Sequence, residues 1–204
     1  ILESNLLLPL ELIDLSERYG VSMFINTDTI LNKNINSYSL SKNQFSEWLI
    51  YYSDGMQCIN VSIEHFYGAY DDNSKFVSFI IGRLSDRVES IDLTFGDQER
   101  DFVYISDVVD AFIAIITHKN SENGLYEYEI GSGENVTIKS FVLLVASMLN
   151  NSETKLNFGA VPYRKNEVMR SHVDLRALIN IGWSPKVDLK KGLKYIINRE
   201  SKKQ

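Results

Sequence analysis

Tyr38 and Lys42 stand four residues apart in the stretch Tyr38-Ser39-Leu40-Ser41-Lys42. On a helix, that spacing puts both side chains on one face. An ammonium beside a phenol stabilises the phenolate, so such a pair can pass a proton near neutral pH. The same spacing also suits a solvated helix face, and alone it does not choose between the two. Eleven residues before Tyr38 lies Thr27, in Phe24-Ile25-Asn26-Thr27-Asp28-Thr29, a strand that ends in hydroxyls. A hydroxyl at the carboxyl end of a parallel strand sits where open α/β sheets bind ligands. These residues also suit a turn rich in local side-chain bonds. Taken together, the pattern is that of a reaction centre. Thr27 holds a carbonyl or hydroxyl oxygen, Tyr38 moves its proton and Lys42 tunes Tyr38.

Such a centre needs a sheet and a helix to carry it. Residues 3–19 form an amphipathic helical pattern stopped by Gly20, followed by a strand pattern over 21–25. A polar loop leads into a helix over 38–54, and a strand follows at 58–63. Two helix–strand steps with short connections predict an α/β fold with a parallel sheet and crossover helices. Further helices are expected over 76–84, 107–117, 137–149 (capped by Thr137), 174–181 and 188–198, with strands over 91–95, 125–130 and 156–161. The length of 204 residues suits one large domain or two small ones.

Composition narrows the function. The net charge of -6 with no basic stripe argues against a nucleic-acid partner. An anionic ligand must then be met by a few placed cations. The single cysteine, Cys58, excludes an internal disulfide and most thiolate metal sites, and fits a reducing compartment such as the cytoplasm. His65, His118 and His172 are scattered, so no metal site follows. Apolar runs such as 112–117 are too short to span a bilayer. The first residues lack the basic leader and cleavage site of a signal peptide, and they read as the inside of a helix with a further piece in front.

A set of short motifs runs almost end to end: Asn5; Asn26-Thr27-Asp28; Tyr38 to Lys42; Phe66-Tyr67-Gly68; Gly96-Asp97-Gln98-Glu99-Arg100-Asp101-Phe102; Asp107-Val108-Val109; Tyr128-Glu129-Ile130-Gly131-Ser132-Gly133; Gly182-Trp183-Ser184-Pro185. In these the chain resembles the extended short-chain dehydrogenase/reductase family, in its nucleotide-sugar epimerase/dehydratase branch. The resemblance implies the C-terminal part of a doubly wound Rossmann-type parallel sheet with a smaller α/β substrate lobe. Residues 1–67 and 100–130 would be the remainder of the dinucleotide-binding domain, and 68–99 and 131–204 the substrate lobe. Thr27, Tyr38 and Lys42 would be catalytic. Tyr38, Lys42 and His65 would contact the cofactor, NADP or NAD, with Lys42 on the nicotinamide ribose. Asp28, His65, Arg100 and Arg164 would bind a nucleotide-sugar substrate, the two arginines gripping its diphosphate, with Asp101 orienting the Arg100 guanidinium. Arg100 and Asp101 could instead form a structural ion pair, Arg164 beside Lys165 could be plain surface, and His65 could simply pair with Glu64. The resemblance also implies a homodimer, with Leu6, Leu10 and Ile13 on the first helix and Phe45, Leu49 and Tyr52 on the second as contact candidates.

Two departures refine this. Dehydratases of the branch carry Thr-Asp-Glu where this chain has Thr27-Asp28-Thr29, so a carboxylate base is missing and dehydration is disfavoured. The glycine-rich turn that seats a cofactor pyrophosphate has one lookalike, Gly131-Ser132-Gly133, which lacks the third glycine and reads as a tight turn. On its own the chain is therefore expected to hold the cofactor poorly. The expected activity is reduction of a CDP-linked 4-keto-6-deoxyhexose for surface-polysaccharide synthesis. A nucleotide-sugar 4-epimerase uses the same three residues, and a non-catalytic sugar-nucleotide-binding protein is the third possibility.

Overall fold

A computed structural model describes residues 1–118, 120 and 122–200. A π-helical turn, Glu3–Leu7, runs into α1 (Leu8–Arg18). Then come β1 (Met23–Thr29), α2 (Ser37–Tyr52), β2 (Gln57–Ile63), β3 (His65–Tyr67), α3 (Phe76–Ser85), β4 (Ser90–Leu93) and β5 (Glu99–Tyr104). They are followed by α4 (Ile105–Thr117), β6 (Gly124–Ile130), β7 (Asn135–Thr137), α5 (Ile138–Met148), β8 (Lys155–Phe158), α6 (Arg176–Asn180) and α7 (Leu189–Glu200). Gly20 stops the first helix with a φ of 67°, a left-handed conformation that glycine adopts without steric cost. The Thr137 side chain caps α5 by accepting from the Ser140 amide.

The chain forms two compact units. Unit 1 comprises Ile1–Glu64, Val109–Ile130 and Val173–Ser184, and unit 2 comprises His65–Val108, Gly131–His172 and the chain from Pro185 onward. In unit 1, β1, β2 and β6 form a parallel sheet with β2 in the middle. Parallel neighbours need crossovers, and α2 is the crossover between β1 and β2. In unit 2, β5 pairs with β3 in parallel and with β7 antiparallel, while β4 pairs with β8. The boundaries differ from those expected at three places. Residues 65–67 and 100–108 belong with unit 2, where β3 and β5 pair. Residues 173–184 return to unit 1, where α6 packs on β6.

The core explains a second difference. Ile13, Phe45, Leu49 and Tyr52 are buried together with Met56 and Cys58, and Leu6 and Leu10 pack against them. The strongest apolar stripe of each helix therefore faces the core of unit 1, as burial of apolar area demands. The exposed apolar residues are a different set, which includes Leu8, Leu12 and Leu15 on α1 and Leu40, Trp48, Ile50 and Tyr51 on α2. Among the described residues, no helix is long and apolar enough to cross a membrane.

Candidate active site

In unit 1 the sequence candidates gather at the carboxyl end of β1 and the first turns of α2. Asn36 caps α2 by accepting from the Ser39 amide at 2.9 Å, which fixes where the helix begins and so where Tyr38 and Lys42 fall. Ser41 Oγ donates to the Tyr38 carbonyl at 2.8 Å and accepts from Asn5 Nδ2 at 3.1 Å, tying the π-helical turn to this part of α2. β1 runs on to Thr29, so the alternation of a strand acts on the candidates. Asn26 and Asp28 are buried and Thr27 between them is exposed.

Lys42 makes its hydrogen bond to β1. Its ammonium donates to the Thr27 carbonyl at 2.8 Å. Burial, and then the negative charge of Asp28, push the Tyr38 phenol above its ordinary value. The Tyr38 side chain is exposed. Burial also lowers the Lys42 pKa, an effect that Asp28 opposes and Lys33 reinforces.

Asp28 is not presented to a ligand either. Its side chain is 0% exposed. One oxygen accepts from the Thr29 amide at 2.7 Å. The other meets the Lys33 ammonium, Ser46 Oγ at 2.8 Å and Asn60 Nδ2 at 3.2 Å. Asn60 in turn accepts from Asn26 Nδ2 at 2.7 Å. Burial alone would raise the Asp28 pKa, but the bonds from Lys33, Thr29 and Ser46 outweigh it and hold the carboxyl below the usual carboxylate range. Asp28, expected at the substrate, is here enclosed and accepts from four groups of the chain itself.

Unit 2 holds the other candidates. His65, Arg100 and Arg164 line one cavity of about 370 Å³, together with Phe76, Asp92 and Glu167 among others. His65 and Arg164 are exposed, while Arg100 is largely buried. The Arg100 Nη1 donates to the carbonyls of Glu99 at 2.7 Å and Val168 at 2.6 Å, and Nη2 donates to Glu167 at 2.5 Å. A guanidinium has five N–H donors, so two remain beyond these three bonds.

Asp101 does not orient Arg100. Successive residues of a strand point to opposite sheet faces, so neighbours on β5 cannot share a partner. The Asp101 carboxylate instead accepts from the amides of Ser132 at 2.6 Å and Gly133 at 2.7 Å. This also accounts for the Gly131-Ser132-Gly133 turn. Its amides do receive an anion, and that anion is the chain's own carboxylate.

Four residues of these sites were not singled out in the sequence: Lys33, Ser46, Asn60 and Glu167. Ser46 was findable, since it lies four residues past Lys42 on the same helix. Glu167 lies three past Arg164, in a segment with no helical or strand periodicity to place it. Lys33 and Asn60 reach Asp28 only through the tertiary fold.

A model of the NAD dependent epimerase/dehydratase family matches residues 1–131. CDP-abequose synthase from Salmonella typhimurium is 33% identical over 206 residues, covering 97% of this chain and 69% of that protein. Among solved structures, the UDP-glucose 4-epimerase of Thermotoga maritima with UDP-glucose superposes with a TM-score of 0.86 at 23% identity, covering 99% of this chain and 71% of that one. The dTDP-glucose 4,6-dehydratase of Bacillus anthracis in complex with NAD gives 0.85 at 16%, covering 98% and 68%. The two structures establish a shared Rossmann-type fold.

Two outcomes follow from this geometry. The Asp28 carboxyl is depressed in the fold, so its contribution to stability is complete above the unfolded value of about 3.9 and disappears as pH falls through the folded value. Denaturant unfolding between about pH 5 and pH 2 should therefore lose stability more steeply in the wild type than in Asp28→Asn. Equal slopes would remove Asp28 from that account. Arg100→Ala strands Glu167, whose side chain is 16% exposed in the pair. It should lower unfolding stability by roughly 2–4 kcal/mol, with Arg100→Lys recovering only part, because an ammonium cannot span the same three acceptors. Denaturant titration of the three proteins measures this, and an unchanged midpoint would show that the pair does not hold the fold.

Proposed function

This chain belongs to the NAD dependent epimerase/dehydratase family, and from that we propose that it reduces the 4-keto group of a CDP-linked 4-keto-6-deoxyhexose. The observation that carries the reading is the placement of Tyr38: exposed in the first turn of α2, four residues before Lys42, whose ammonium is anchored on the Thr27 carbonyl. Reduction of a ketone needs an acid for the new alkoxide, and an exposed phenol can serve as one. The likeness to CDP-abequose synthase supports the CDP-linked substrate.

The donor set fits the ribose of a nicotinamide cofactor, NADP or NAD. Lys42 spends one of its three N–H donors on Thr27, which leaves two for ribose hydroxyls. A bound reduced nicotinamide supplies the hydride. Tyr38 gives its proton to the alkoxide oxygen, and the Thr27 hydroxyl holds that same oxygen. Asp28 is not an acid for elimination, since its carboxyl is held ionised and enclosed, which together with Thr29 supports reduction over dehydration.

In unit 2 we assign the cavity to the nucleotide diphosphate, with Arg164 and the two remaining donors of Arg100 as its cations and His65 at its wall. The exposed Leu8, Leu12, Leu15, Trp48 and Tyr51 are assigned to pairing with a second copy. Cys58 is fully buried and its thiol is pushed up to about 11, chiefly by burial and then by Glu17, which supports a structural cysteine.

Replacing Tyr38 with Phe in the intact protein should abolish consumption of reduced cofactor while leaving sugar-nucleotide affinity within about twofold, because the phenol acts on the transferred proton and adds little ground-state binding. Steady-state turnover and calorimetric titration decide it, and near-normal turnover would exclude Tyr38 as the acid.

A further inference from the structure

The cavity assigned to the nucleotide diphosphate also holds a residue that a phosphate should repel. Asp92 lines it together with Arg100 and Arg164, and every wall belongs to unit 2. The other carboxylate there, Glu167, already meets Arg100. Asp92 is exposed, and it is held by an amide: Asn157 Nδ2 donates to its Oδ1 at 2.8 Å. A carboxylate kept in a cavity for an anion must face a donor of the ligand and not its phosphates. In a nucleotide those donors are ribose hydroxyls and the N–H groups of the base.

The fold fixes where Asp92 stands. It lies on β4, and its partner in the parallel register with β8 is Asn157, so both side chains leave the same face of the sheet. Next to it, the Leu93 carbonyl accepts from the amides of Gly159 and Val161, each at 3.0 Å. Val161 lies three residues before Arg164 and shares the cavity with it. The acidic wall is thus tied through the backbone to the segment that carries a cation.

The pair also has a polarity. A carboxylate only accepts, and Asn157 uses one of its roughly four lone-pair sites. The Asn157 amide nitrogen has two hydrogens and spends one on Asp92. Side by side, the two residues offer an acceptor and then a donor. The pairing edge of cytosine is the complement, an amino donor beside a ring-nitrogen acceptor. A carboxylate accepting from that amino group is also how side chains single out cytosine in a duplex. Uracil presents the inverse, a carbonyl oxygen beside an N–H, and sets that oxygen against the carboxylate.

We propose that Asp92, oriented by Asn157, selects a cytosine nucleotide over a uracil one. The proposal rests on the reading of this cavity as the nucleotide site, and it names the residues behind a CDP-linked substrate. The test is calorimetric titration of CDP and of UDP into the intact protein. CDP should bind more tightly by roughly ten- to a hundredfold, the worth of one hydrogen bond to a charged group. Asp92→Asn should erase most of that preference. Asp92→Asn combined with Asn157→Asp exchanges acceptor and donor while keeping the bond between them and the net charge, and UDP should then bind better. The melting temperature of this exchange should stay close to that of the wild type, and if it does not, Asp92→Asn alone decides. No preference in the wild type, a preference unchanged in the variants, or an equal loss for CDP and UDP, as a ribose contact would give, overturns the proposal. The reading beneath it fails differently. A wild type that binds neither nucleotide removes the cavity as their site, one that prefers UDP removes the CDP-linked substrate, and each takes the proposal with it.

Discussion

The enclosed carboxylate of Asp28 is the point at which β1, β2, α2 and the loop between β1 and α2 are joined by polar bonds in unit 1. Apolar packing alone brings α2 onto the sheet through Phe45 and Leu49, but such packing is non-directional and tolerates small slides of a helix along its axis. Charge-assisted hydrogen bonds have fixed lengths and directions. A bond from Ser46 to a side chain rooted in β1 sets the height of α2 relative to the strand, and the Lys42–Thr27 bond repeats that constraint about one turn earlier. The Asn36 cap and the Ser41–Asn5 contact secure the other end. Each bond adds only about 1–3 kcal/mol net, and enclosing the carboxylate takes much of that back. What the network supplies is position, and a proton donor depends on position more than on stability.

Unit 2 solves a related problem with a strand. β5 carries Arg100 and Asp101 side by side, and the pleat sends them to opposite faces. One meets Glu167 in the cavity, and the other fills the amides of the Ser132-Gly133 turn. Two adjacent charged residues thus hold two separate segments, 131–134 and 167–168, in place around a single strand. The same partners that secure Arg100 also neutralise part of its charge. Beside this held guanidinium, with two donors beyond its three bonds, the cavity carries the exposed Arg164.

Much of this was legible in the residues. Tyr38 and Lys42 at helical spacing, the hydroxyl-rich end of β1, the parallel β1–β2 step and the Thr137 cap are local patterns, and local patterns survive folding. The bond from Lys42 to the Thr27 carbonyl was not legible, since spacing gives a shared face but not a partner on the neighbouring strand. The short strands β3 and β7, three residues each, have no periodicity to read and exist because β5 lies beside them. The apolar stripes of α1 and α2 were visible, but which side faced the sheet was decided by the whole of unit 1. For the same reason the four donors that enclose Asp28 were not legible.

The central claim is that an exposed Tyr38 serves a one-way reduction. The most direct measurement uses reduced cofactor deuterated on the transferred face, with the intact protein and a CDP-linked 4-keto-6-deoxyhexose. The account predicts one deuterium at C4 of the sugar per product formed and loss of one reduced cofactor per turnover. A product that carries no cofactor deuterium, formed without net cofactor consumption, would mean that the hydride is returned and would contradict it.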